Sequence, residues 1–362
     1  MLANETDHRR YYLNIVKGLA IFLMLWGHCI QYCAQGSFDF FENVAFKVIY
    51  SFHMPLFMIV SGYLFYYSFQ KFELKQLIIH RSKPLLWTIV FCGAFNYAIT
   101  ISVWILYRYH SFNGFFISNL LSQYQSLWFL WSVLAAAIGV ALICKKVHNI
   151  WIQLLLLALW SVPVFLFPGE SPENIYVYPY FILGFYYAQY QNIINQRLKW
   201  IVQAISSVGF VVMLFFFRKK HYIYTDGLYD SNRSIMDNIG INLFRWVIGL
   251  LGCIAVLSLV EVLFRLIVLK HGKRRDPILF CLSELGKKSL QIYALSVSFL
   301  SFWLPRIYRR ITGRVGSNFL AHNIYLYSFV YTLAIAVLYA VGLYFLIKLF
   351  ERIKFSKVLF GK

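Results

Sequence analysis

Apolar residues run in blocks of membrane-span length along this chain, separated by short polar intervals. A hydrocarbon core of about 30 Å is crossed by roughly 20 apolar residues in a helix. Blocks of that kind fall at 12–33, 48–68, 84–107, 127–144, 150–167, 175–191, 199–217, 241–265, 283–304 and 324–350. The pattern predicts an all-α, polytopic membrane helix bundle of about ten transmembrane helices. It predicts one integral-membrane domain over 1–362, with no separate soluble domain. The first block follows Arg9 and Arg10 as a signal peptide would, yet it carries Lys17 and lacks a small-residue cleavage site, so it is expected to be a retained helix.

Orientation turns on the sixth block, which is short and interrupted by Pro179. If it spans and the N-terminus is inside, 22 Lys and Arg lie on the inner side and 10 on the outer, with Lys17 and Arg245 within the membrane. If it does not span, the division is 16 against 16. The excess of inner positive charge therefore selects ten spans with both termini cytoplasmic.

Composition agrees with this class. At 60% hydrophobic and 13% charged residues the chain is excluded from ordinary soluble domains. Its net charge of +20 then reads as orientation charge, with inner loops facing the anionic headgroups of the lipid bilayer, and not as a nucleic-acid footprint. Six cysteines lie in or beside apolar blocks and show neither a disulfide framework nor metal-ligand spacing, so no metal is expected. Glycine-rich phosphate loops, zinc motifs and a nucleophile elbow are absent from the sequence. His221 and Asp226 reproduce the H-x-x-x-x-D spacing of glycerolipid acyltransferases, but without that motif's supporting domain the spacing reads as coincidence.

Candidate chemistry begins in the first block. Lys17 and His28 are eleven residues apart, so they share one helix face about 16 Å apart along the axis, with Asn14 on the same stripe. Ionisable groups inside a span mark functional sites. His53 lies about as far from the outer end of the second block as His28 does in the first. Antiparallel packing across the short connecting loop would hold both imidazoles at similar depth. Pro55 can bend the second helix, and Ser61 with Gly62 permits close helix approach. Each residue also has a plainer role: snorkelling for Lys17, a hydrogen-bonded structural imidazole for His28, and helix packing for His53 and Ser61.

The run LNIVKGLAIFLMLWGH (13–28) followed by FHMPLFMIVSGYLF (52–65) resembles the opening of the membrane acyltransferase-3 proteins. HRSKPLLW (80–87), SLWFLWSVL (126–134) and LGKKSLQIYAL (285–295) are similar to further stretches of that family. The resemblance implies a bacterial integral-membrane O-acyltransferase in the cytoplasmic (inner) membrane. Such enzymes move acyl groups, commonly acetyl from acetyl-CoA, onto sugars and other exported acceptors. Many members carry Arg where this chain has Lys17, Asp near Asn14, and His where this chain has Ser296.

On that reading acyl-CoA is a cytoplasmic co-substrate, no cofactor is permanently bound, and the acceptor is a glycan or other hydroxyl reached from outside. Lys17, Arg81 and Lys83 would meet the CoA phosphates. The thioester would reach His28, whose imidazole can take a hydroxyl proton near neutrality. His53, Ser61, Trp128 and Arg245 are the acceptor-side candidates. Arg81 and Lys83 also fit simple orientation charges, and Trp128 with Phe129 also fits an interfacial aromatic belt. Arg245, a turn inside the eighth block, either snorkels outward or points into a cavity. Segment 306–314 holds four arginines on the outer side, and Glu261 is spaced for a local ion pair with Arg265. The competing class is a transporter or flippase for a lipid-linked sugar. Against it, the halves show no repeat and no pair of interrupted helices in matching positions.

Overall fold

A computed structural model describes residues 2–34, 39–106, 115–166, 171–269, 276–298, 304 and 326–360. Among the described residues the chain is helical and holds no strand. The α-helices are α1 (Leu2–Tyr32), α2 (Val44–Lys71), α3 (Leu74–Leu106), α4 (Phe115–Gln125), α5 (Trp128–Cys144), α6 (Ile150–Leu159), α7 (Ser161–Leu166) and α8 (Ser171–Tyr190). There follow α9 (Gln196–Phe216), α10 (Ile223–Asp226), α11 (Ile235–Leu263), α12 (Pro277–Lys287), α13 (Ser289–Ser298), α14 (Thr332–Arg352) and α15 (Phe355–Phe360).

Among the described residues, six helical stretches are long and apolar enough to cross a membrane: His8–Tyr32, Val44–Lys71, Leu74–Ser102, Gln196–Phe216, Ile235–Val268 and Tyr327–Arg352. They correspond to blocks one, two, three, seven, eight and ten of the sequence. The fourth block is the shorter apolar helix α5. The fifth is broken at Trp160, between α6 and α7. Pro163 lacks the N–H that would have met the Leu159 carbonyl one turn back, which weakens the ladder there. The sixth is α8, with Pro179 inside it. The ninth is interrupted at Lys288 (φ −107°, ψ 10°), between α12 and α13, and its far end lies outside the described residues. The eighth starts at Ile235 instead of 241, because Ser234 caps it by accepting the Asp237 N–H at 3.1 Å. Asp276 caps α12 in the same way, with Pro277 at the first helical position.

The chain folds as two compact units, one of residues 1–57 and 194–346, the other of 58–193 and 347–362. In the first unit, α1 crosses α12 through a pair of glycines. A Cβ on Gly18 would stand 1.7 Å from the Leu282 carbonyl oxygen, and one on Gly286 would stand 1.8 Å from that of Asn14. Only glycines let the two backbones approach so closely, the usual device where helices pack in lipid. Tyr12 ties α1 to α11 through the Leu257 carbonyl at 3.2 Å. Gly252 of α11 admits the Phe210 ring of α9 and the side chain of Phe52 of α2.

The second unit repeats the device. Gly62 of α2 faces the Phe181 carbonyl and Gly184 of α8 faces that of Ile59, each at 2.0 Å from an added Cβ. Gly139 of α5 receives the Trp160 indole, whose Nε1–H donates to the Ala135 carbonyl at 3.0 Å. Trp87 of α3 donates to the Val358 carbonyl of α15 at 2.8 Å.

Candidate active site

His28 lies one turn before the end of α1, and the residue before it sets its surroundings. A Cβ on Gly27 would come within 2.6 Å of the Tyr50 ring, so the glycine allows Tyr50 of α2 to lie against α1. The Tyr50 hydroxyl then stands 3.1 Å from His28 Nδ1 and 3.2 Å from Gln31 Oε1. Nδ1 is itself 3.3 Å from that amide oxygen. An amide oxygen only accepts, so one assignment satisfies all three groups. In the tautomer that Gln31 Oε1 selects, Tyr50 O–H and His28 Nδ1–H both donate to it and the lone pair of His28 is on Nε2; Tyr50 O–H donating to Nδ1 would reverse this.

His53, one turn after Ile49 on α2, has Nδ1 2.8 Å from the Ile49 carbonyl oxygen. A carbonyl cannot donate, so Nδ1 carries the proton and Nε2 is again the basic nitrogen. Both imidazoles flank one phenol. The Tyr50 ring is 6.0 Å from that of His28 at 89° and 4.8 Å from that of His53 at 60°. His28 is half-buried and stacks on Tyr32 at 5.7 Å, whereas His53 is buried.

A second aromatic layer surrounds this pair. Phe46 stacks on Tyr50 at 4.0 Å, and Tyr224 and Tyr222 approach Tyr50 at 5.6 and 6.4 Å. The two tyrosines belong to the connection between α9 and α11, which Arg245 holds. Its Nε donates to the His221 carbonyl at 3.1 Å, and Nη2 donates to those of Lys220 and Tyr222 at 2.7 and 3.1 Å. Nη1 donates to the Gly227 carbonyl and, at 2.9 Å, to Asn242 Oδ1. Gly227 has φ 62° and ψ −153°, a conformation open essentially to glycine alone, and this turns the chain around the guanidinium. Arg245 is 2% exposed, so it does not snorkel outward, and its guanidinium is turned to the carbonyl oxygens of this connection. A buried cation needs such a shell of oriented oxygens to offset its lost hydration.

In the same connection His221 is buried against Phe244 at 4.2 Å, and its Nδ1 accepts the Arg218 N–H at 2.9 Å. Burial, and after it the cations Lys220, Arg245, Arg218 and Arg233, push its imidazole down to about 4. Asp226 pairs with Arg233 at 2.8 Å, so the H-x-x-x-x-D residues are not an acid–base dyad. Tyr222 O–H donates to the Phe41 carbonyl at 3.1 Å.

Lys17 is half-buried on α1 beside Gly18, at the crossing with α12. Glu261 binds Arg265 at 2.7 Å, the local pair its spacing indicates, and also Lys199 of α9 at 2.8 Å. Thus Lys17, His28, His53 and Arg245 lie in the first unit, with His28 and His53 brought together around Tyr50. Ser61, Arg81, Lys83 and Trp128 lie in the second. There Arg81 Nη2 donates to the Leu64 carbonyl at 3.0 Å and to Ser68 Oγ, pinning α3 to α2. Lys83 is exposed, Ser61 is half-buried beside the Gly62 contact, and half-buried Trp128 meets Phe129 edge-on at 6.0 Å. The arginine-rich segment 306–314 lies outside the described residues.

Sequence reasoning missed Gln31, Tyr32 and Tyr50. Gln31 is three residues after His28 and Tyr50 three before His53, the spacing at which helical side chains meet. Tyr222 and Tyr224 sit in a polar connection whose pattern gave no signal.

These features define a helical membrane-type protein with polar chemistry set inside its apolar helices. Residues 10–347 match the acyltransferase-3 family model, described as an acyltransferase domain, and the chain belongs to that family. It is similar to the Nodulation protein NolL of Mesorhizobium japonicum, 28% identical over 227 residues, 61% of this chain and 60% of the relative. It is also similar to the Nodulation protein NolL of Sinorhizobium fredii, 31% identical over 194 residues, 51% of this chain and 50% of the relative. The chain thus spans between half and three-fifths of the length of these curated relatives. No solved structure matches it.

Proposed function

We propose that this protein is an integral-membrane O-acyltransferase of the bacterial cytoplasmic membrane. It moves an acyl group, acetyl foremost, from cytoplasmic acyl-CoA to a hydroxyl of an exported glycan. One observation carries the reading: in a chain of the acyltransferase-3 family, Gln31 Oε1 stands 3.3 Å from His28 Nδ1, and an acceptor there selects the tautomer with Nε2 basic. The acceptor hydroxyl gives its proton to Nε2 as its oxygen attacks the thioester carbonyl. The C–S bond then breaks, and the departing CoA sulfur takes that proton from the imidazolium. Such general-base catalysis contributes typically 10²–10⁴-fold.

In this proposal Lys17 meets a phosphate of the donor, as a compact cation suits phosphate. Arg81 and Lys83 are proposed separately as phosphate ligands, and His53, Ser61 and Trp128 as acceptor-side groups. Arg245 serves the acceptor side through the connection it holds, since its guanidinium is engaged with backbone carbonyls. Ten spans with cytoplasmic termini belong to the same proposal, because the donor is inside and the acceptor outside.

The test incubates membranes containing the full chain with labelled acetyl-CoA and a glycan acceptor. Label on the acceptor, lost by about 10²–10⁴-fold in His28→Ala at equal expression, is expected. Movement of acceptor across the membrane without label would instead mark a carrier. Transfer at the wild-type rate by His28→Ala would remove the general base.

A further inference from the structure

Next to the histidine pair, the connection between α9 and α11 presents an aromatic face that acyl transfer itself does not require. Tyr224 is 37% exposed although its ring is backed on several sides. Tyr50 and Tyr222 lie 5.6 Å away, and Phe41 stacks behind it at 6.0 Å with 27° between planes. Lys219 Nζ sits 4.7 Å over the Phe41 ring. A tyrosine on a surface connection usually samples several rotamers. This one stands on a backbone fixed by the Arg245 guanidinium, the Gly227 turn and the Tyr222–Phe41 hydrogen bond.

We propose that Tyr224 is a stacking platform for a pyranose ring of the acceptor, and that Arg245 is the positioning residue that holds it. The inference rests on the acyl-transfer reading above and names what selects the acceptor. A pyranose has an apolar C–H face and a polar rim of hydroxyls. The first suits an aromatic ring that is partly exposed and immobilised. Tyr50 is the shared neighbour of Tyr224, at 5.6 Å, and of His28, at 6.0 Å. A glycan seated on Tyr224 therefore brings its adjoining hydroxyls towards the imidazole. Rigid aromatic contacts of this kind have a low ordering cost, because the ring is already fixed. An acyclic polyol offers the same hydroxyl chemistry but no flat C–H face, so the platform favours ring sugars.

The experiment uses the full chain in nanodiscs with labelled acetyl-CoA. Acceptors are a panel of methyl glycosides and methyl disaccharides, compared with sorbitol as the acyclic polyol. Tyr224→Ala is expected to lower the ratio of ring-sugar to sorbitol kcat/KM by about tenfold, with KM for acetyl-CoA as in the wild type. Tyr224→Phe keeps the ratio, because the face and not the hydroxyl is used. Arg245→Lys, which cannot span the same carbonyls, lowers the ratio as Tyr224→Ala does. A purely structural role for the connection would depress both acceptors together and leave the ratio unchanged, which overturns the proposal. Should Arg245→Lys fail to fold, Tyr224→Ala at its exposed position still decides. An unchanged ratio in Tyr224→Ala, with transfer intact in the wild type, overturns this inference alone. Absence of transfer to every acceptor by the wild type overturns the acyl-transfer reading and this inference with it.

Discussion

At the scale of single residues, tautomer control is the central feature of the site. His28 is a useful base only if Nδ1 is held as a donor, and Gln31 Oε1 is the acceptor that does so while also taking the Tyr50 proton. Tyr50→Phe keeps the ring between the imidazoles and removes one hydrogen bond, so kcat should fall about tenfold, less than in His28→Ala. Steady-state kinetics on the two variants side by side checks that order. A second expectation concerns pH. His221, held down to about 4, binds fewer protons folded than unfolded between that value and the ordinary 6.5. Stability should therefore be fully present above about pH 6.5 and decline as pH falls towards 4. Thermal unfolding in detergent across that window should show the decline in the wild type. It should be weaker in His221→Asn, which keeps an acceptor for the Arg218 N–H but does not titrate. His28 and His53 were legible in the sequence because their depth in two consecutive spans could be counted. The place of Arg245 was not, because the carbonyls it holds belong to a connection whose path no periodicity reports.

Elements show where apolar patterning is reliable and where it stops. The long helices cover nearly the whole of their blocks, since each must satisfy its backbone internally in lipid, but α1 and α3 begin earlier, at Leu2 and Leu74 instead of 12 and 84. The break at Trp160 was not read, because apolar composition continues across it while the backbone ladder does not; the one at Lys288 falls in the polar run 287–289, which the bounds of the ninth block enclosed. Close crossings are likewise silent in hydropathy, yet they fix the register of α1 on α12. Gly18→Val should be strongly destabilising, because its Cβ would lie 1.7 Å from the Leu282 carbonyl and neither backbone can yield without separating the helices. Overpacking costs about 1–3 kcal/mol where side chains can adjust, and a backbone clash should reach or exceed the upper end. Gly240 of α11 has nothing within 4 Å of an added Cβ, so Gly240→Ala should be neutral or stabilising by up to about 1 kcal/mol. Denaturation midpoints of the two variants in one detergent would test the contrast. A loss in Gly18→Val no greater than the effect of Gly240→Ala would mean that the glycine crossing does not hold α1 in register.

For the whole molecule, the proposed topology depends on one weak element. Positive charge favours ten spans only if α8, with Pro179 inside it, crosses the membrane. If it does not, every later segment changes side. Cysteine labelling distinguishes these cases, because Cys29, Cys33, Cys92, Cys144 and Cys253 are buried and Cys281 is exposed. In a Cys281→Ser background, single cysteines at Lys146, Tyr229 and Lys357 sample exposed positions before and after α8. With ten spans, Tyr229→Cys should react with a membrane-impermeant maleimide on intact cells, and Lys357→Cys only after permeabilisation. Lys146→Cys precedes α8, so it reads as internal either way and controls for leakage. The reverse pattern, Lys357→Cys labelled from outside and Tyr229→Cys protected, would place the connection bearing Tyr224 on the cytoplasmic side. His28 and His53 precede α8 and keep their side in both cases, so that pattern would contradict the Tyr50–Tyr224 contact that joins the histidine pair to the connection. The platform proposed at Tyr224 could then not serve an exported acceptor beside His28, and that inference would fall together with the ten-span topology.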